Sequence, residues 1–142
     1  MNQAAERIES LKAALTGAIA ATLVSLATVS SNAWIRNRLT NDDTWLSQLL
    51  DWSTLLHLGV ASISGFLFGV TYRYIVRQDQ NFQLKSGAVL AFSLVRCLPQ
   101  LETKLDYGSF SLGLLESLLL FGIVALILNR LMQRGWIKPF AA

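Results

Sequence analysis

Four stretches of mostly apolar residues, parted by short polar and charged segments, organise this chain: residues 13–32, 53–72, 86–101 and 108–128. Crossing a hydrocarbon layer of about 30 Å takes roughly 20 helical residues, and these stretches come close to that length. The pattern predicts an all-α, polytopic membrane protein of four transmembrane helices, arranged as two hairpins in a single domain spanning 1–142. The run Leu118 to Leu128 is the most apolar. The third stretch is the weakest, because Arg96 and Pro99 interrupt it. The first has a signal-peptide reading, with Ser31-Asn32-Ala33 as a small-residue cleavage site. Its apolar region exceeds the usual signal core of about 7 to 15 residues, so we read it as a retained helix.

Polar segments bracket the spans. Trp34, Trp45, Trp52, Tyr72, Tyr74 and Trp136 sit at the expected edges, where aromatic rings anchor helices at the headgroups. Between the first two spans, Thr40-Asn41-Asp42-Asp43 can cap a helix. Trp45, Leu46, Leu49, Leu50 and Trp52 then alternate with Ser47, Gln48 and Asp51. That segment reads as a short amphipathic helix in the outer interface, or equally as an extension of the second span.

Composition supports lipid as the solvent: of 142 residues 53% are hydrophobic and 15% charged, more apolar surface than a soluble domain of this size can bury. The net charge of +3 is spread along the chain, which argues against nucleic acid as a partner. One cysteine, Cys97, rules out an intramolecular disulfide; beside Arg96 it reads as a packing residue.

Charge also orients the helices. Arg7, Lys12, Arg73, Arg77, Lys85, Arg130, Arg134 and Lys138 fall on one side, and only Arg36, Arg38 and Lys104 on the other. The positive-inside rule places both termini and the loop from Arg73 to Lys85 in the cytoplasm or stroma, and requires the third stretch to cross. Echoes between Gly17-Ala18-Ile19-Ala20-Ala21 and Gly87-Ala88-Val89-Leu90-Ala91 suggest two related halves.

Small residues at intervals of four let helix backbones approach closely in lipid. His57, Ala61, Gly65 and Gly69 form one such ridge, and Gly17, Ala21 and Ser25 another; we expect the two to meet. At about 1.5 Å per residue, Arg96, Glu116 and His57 all lie roughly 8 to 9 Å inside the outer edge of their spans. Intramembrane charges are costly, about 2.5–3.5 kcal/mol each on insertion scales, and tend to pair. A direct Arg96–Glu116 salt bridge with His57 beside it is the expectation. It serves as a structural staple, or as a polar site for an ion, proton, lipid headgroup or substrate. His57 alternatively makes an interhelical hydrogen bond or ligates a pigment such as chlorophyll.

No HExxH, GxSxG, CxxC or phosphate-binding loop occurs, and there is one histidine, so we identify no catalytic residue and no metal site. No cofactor is required, although a chlorophyll or carotenoid is compatible with the fold.

Gly65-Phe66-Leu67-Phe68-Gly69-Val70-Thr71-Tyr72-Arg73-Tyr74, Arg77-Gln78-Asp79, Leu84-Lys85-Ser86-Gly87-Ala88-Val89 and Leu94-Val95-Arg96 resemble segments of small integral membrane proteins of cyanobacteria and chloroplasts. They cover about a quarter of the chain, and this sequence has Arg96-Cys97 where such proteins usually have Arg-Gly. The resemblance implies a thylakoid address beside the photosynthetic machinery; the bacterial inner membrane is the other location consistent with the charge pattern. The expectation is a non-enzymatic accessory, structural or assembly subunit of a larger membrane complex, in contact with membrane lipids. The alternative is a small transporter or channel subunit, a homo-oligomer built around Arg96, Glu116 and His57.

Overall fold

The computed structural model describes residues 3–40, 47, 50–76, 81–103 and 107–139, and its regular elements are four long helices. They are α1 (Gln3–Thr40), α2 (Trp52–Val76), α3 (Phe82–Thr103) and α4 (Tyr107–Gln133). Three of them, α1, α2 and α4, are long and apolar enough to cross a membrane. With 22 residues, α3 has the length of a span, but it carries Lys85, Arg96 and Glu102. It also continues through Pro99, whose missing N–H leaves a helical carbonyl without its donor. At 38 residues, α1 extends about 57 Å, well beyond the roughly 30 Å of hydrocarbon it needs to cross.

Local chemistry sets the helix ends. The Asp51 carbonyl accepts from the Leu55 N–H (3.1 Å), which makes Asp51 the N-cap of α2, and its carboxylate accepts from the Ser53 hydroxyl at 2.5 Å. At α3, the Asn81 side-chain oxygen accepts from the Gln83 N–H (3.0 Å), satisfying a donor the helix cannot. At the end of α4, Gly135 adopts φ 75°; its N–H donates to the Met132 carbonyl and that of Trp136 to the Leu131 carbonyl. This pairing of bonds is a Schellman cap, which requires the left-handed backbone that glycine adopts most easily. It turns the chain back, so that Ile137 is buried.

Packing is closest between α1 and α2. A Cβ at Gly17 would collide with the Gly65 carbonyl, one at Gly69 with the Ala13 carbonyl, and one at Gly65 would lie 2.5 Å from the Gly17 carbonyl oxygen. Backbone touches backbone along this seam, and the pairing of rising with falling residue numbers makes the two helices antiparallel. Ala21 and Ala61 are fully buried in the same region. Gly17, Ala21, Ala61, Gly65 and Gly69 thus share one seam.

The centre of the bundle is aromatic. Phe68 lies 5.3 Å from Tyr72, 5.2 Å from Phe92 and 5.1 Å from Phe121, tying α2 to α3 and α4. Tyr72, expected as an interfacial anchor, belongs to this core and is 2% exposed. The reason is helical phase: four residues after Phe68, it repeats the same inward direction. Trp34, Trp52, Tyr74 and Trp136 are exposed, as interfacial rings would be. Trp45 and most of the expected amphipathic segment lie outside the described residues. Leu15, Ile19 and Leu23 on α1, Val60 and Ile63 on α2, and Leu119 and Leu126 on α4 coat the outside. So continuous an apolar mantle is consistent with a membrane protein.

Candidate functional site

All four helices contribute to one polar cluster. From α3, the Arg96 guanidinium reaches two groups on α2, the Ser64 hydroxyl and His57 Nε2, each at 3.3 Å. His57 Nε2 also lies 3.8 Å from Glu116 Oε1 on α4, and that carboxylate oxygen accepts from Thr28 Oγ1 of α1 at 3.4 Å. The expected direct Arg96–Glu116 salt bridge is therefore replaced by a relay with the imidazole between the charges. Arg96 is directed at α2, whereas Glu116 meets α1 and His57.

The relay has a chemical constraint. Guanidinium only donates, so toward Arg96 the Nε2 atom must accept. Toward the carboxylate it must donate. One ring nitrogen cannot do both at once, so a change in the protonation or tautomer of His57 exchanges one contact for the other. The arrangement can hold or move a proton at Nε2. In this arrangement Nε2 faces protein groups. Among the described residues, no three His, Cys, Asp or Glu side chains gather to hold a metal ion.

The cluster is only half enclosed. The His57 and Glu116 side chains are 40% and 35% exposed. Above them, toward the ends of α1 and α2, opens a polar cleft of about 570 Å³ whose lining includes Asn32, Arg36, Asp51 and Thr54. Val29, beside Thr28, and Thr54, one turn from His57, belong to its wall. One turn deeper from Thr28, the fully buried Ser25 hydroxyl has no hydrogen-bond partner.

A second polar assembly closes the opposite end. Arg73, the largest fully buried side chain, pairs with the Glu6 carboxylate at 2.5 Å and donates to Ser10 Oγ, the Glu6 carbonyl and the Lys138 carbonyl. The Lys138 N–H in turn donates to Glu9 Oε2 at 3.0 Å. One guanidinium thus fastens the start of α1 and the tail after α4 to α2. By position, beside Tyr72 and Tyr74 at the end of the second span, Arg73 reads as one of the flanking charges, and its full burial corrects that reading. The signal was present, for Arg73 is the next member of the every-fourth-residue ridge His57, Ala61, Gly65 and Gly69 and must face α1 as they do.

No protein-family model, curated protein or solved structure matches the chain.

Proposed function

We propose that this chain is a non-enzymatic integral membrane subunit of four spans in two hairpins, both termini inside, that docks on a larger membrane assembly through the face bearing His57 and Glu116. The observation that carries this reading is the partial exposure of an ionisable pair on α2 and α4, two helices long and apolar enough to span. A carboxylate facing hydrocarbon is expensive, so such a face is completed by a partner that supplies a polar group. Small-residue packing, short loops and an apolar mantle suit a subunit of this kind. The thylakoid remains the compartment suggested by the sequence resemblance.

A second reading has its own support. A polar cleft opens beside the cluster at Val29 and Thr54, and the unpartnered Ser25 hydroxyl extends the polar groups inward from Thr28. A small transporter or channel subunit would use the cluster in this way, as a homo-oligomer.

Native gel migration after mild detergent extraction tests both. The docking reading expects the wild-type chain in a larger complex, with Glu116→Gln and Arg96→Met releasing it. A homo-oligomer that survives both substitutions supports the transporter, and a lone monomer in gentle detergent overturns both.

A further inference from the structure

Between α3 and α4 runs an open groove of about 590 Å³ whose walls include Val89, Leu90, Leu118, Ile123 and Leu126. Three features characterise it. The first is length. Along α4 it extends from Leu118 to Asn129, about 16 Å by helical rise, which matches one leaflet of a hydrocarbon layer about 30 Å thick.

The second is charge. At the groove's end, Lys85 Nζ donates to Asn129 Oδ1 at 3.1 Å, bridging α3 and α4. An ammonium has three donors, so this bond fixes its position and leaves others for a second acceptor. The exposed Arg130 and Arg134 add positive charge at and just after the same end of α4.

The third is empty space that the packing leaves open. Gly122 lines the groove, and a Cβ built there meets no atom within 4 Å. The contrast with Gly17, Gly65 and Gly69 is plain, since at those positions another helix fills the space. Gly122, like Gly59 and Gly87, leaves its side of the helix open, and here that opening falls within the groove.

We infer that this groove is a binding site for an anionic glycerophospholipid, with an acyl chain lying over Gly122 and the phosphate held by Lys85 at the headgroup level. A furrow of one-leaflet length ending in a fixed cation matches a lipid in both shape and charge; a partner helix would continue across both leaflets. Basic pockets between helices at the membrane surface recognise lipid headgroups in this manner. The site lies toward the other ends of α3 and α4 from Arg96 and Glu116, and does not depend on the proposed docking cluster.

The test uses the full chain, delipidated in detergent, with dioleoyl phosphatidylglycerol, dioleoyl phosphatidylcholine and inorganic phosphate as separate probes. Bound lipid is read by native mass spectrometry and by the shift in thermal unfolding. The wild type should bind the anionic lipid about fivefold more tightly than the zwitterionic one, the preference that one lysine near a surface supplies. Phosphate alone should give no shift. Lys85→Gln should abolish the preference while both lipids still bind. Gly122→Leu should displace both lipids with helix content unchanged by circular dichroism, whereas Gly59→Leu, also in open space, should leave binding as it was. Equal binding of the two lipids by the wild type, an equal response to phosphate alone, or lipid retention by Gly122→Leu would each overturn the inference. So would a lipid-independent dimer that Gly122→Leu disrupts, since the groove would then hold a second copy.

Discussion

Arg73 and Arg96 show how the same side chain is accommodated in two ways within one small bundle. Arg73 is fully buried and surrounded by acceptors from the start of α1 and the tail after α4. Arg96 is partly buried and shares a single imidazole with Glu116. Removing a partner from a buried ion pair strands the survivor, typically at about 3–5 kcal/mol. Glu6 is itself 20% exposed, so the lower end applies. We expect Glu6→Ala to lower stability by about 3 kcal/mol. Adding Arg73→Met should restore part of that loss, because the stranded charge goes with it. Thermal unfolding in detergent checks this; a double variant no more stable than the single one would show that Arg73 is held by the carbonyls and Ser10 alone.

At the scale of the helix pair, the glycines divide into those that touch a backbone and those that touch nothing. Gly65 faces Ala21 and the Gly17 carbonyl, so even a methyl group there separates α1 from α2; overpacking of this kind costs about 1–3 kcal/mol. At Gly59 a Cβ meets nothing within 4 Å, and alanine is favoured over glycine in a helix by about 1 kcal/mol. Gly65→Ala is therefore expected to destabilise and Gly59→Ala to stabilise, read by unfolding in detergent. Equal effects would mean that the seam is looser than its backbone contacts indicate. The same seam aligns Thr28 with the cluster and Glu6 with Arg73, so loosening it should disturb both polar assemblies.

For the whole molecule, the proposed topology puts the Arg73 assembly inside and the polar cleft outside. Membrane-impermeant thiol reagents test it in a Cys97→Ala background, since Cys97 is the chain's one cysteine and is buried. A cysteine replacing Asp51 should label from the outside and one replacing Arg134 only after the membrane is opened. Outside labelling at position 134 would reverse the bundle, and would place the inferred lipid in the other leaflet.

The order of the apolar stretches along the chain determined that the protein is helical and which small residues share a ridge; of the four spans it predicts, α1, α2 and α4 are long and apolar enough to cross a membrane. These depend on spacing of three or four residues and on local hydropathy, both written in the sequence itself. Tertiary structure decided the partners. Matched depth brought Arg96, Glu116 and His57 to one level, but depth says nothing of rotation about a helix axis, and rotation turned Arg96 toward α2 and put His57 between the charges. Tyr72 and Arg73 read alike as belt residues, because an aromatic beside a cation at a span's end has that appearance. Rotation of 100° per residue sent Tyr72 to the aromatic core and Arg73 to the α1 seam. The return of the tail after Gly135 is not legible in a hydropathy pattern, since a single buried Ile137 makes no run, and the Lys138 carbonyl that accepts from Arg73 is a group every residue has.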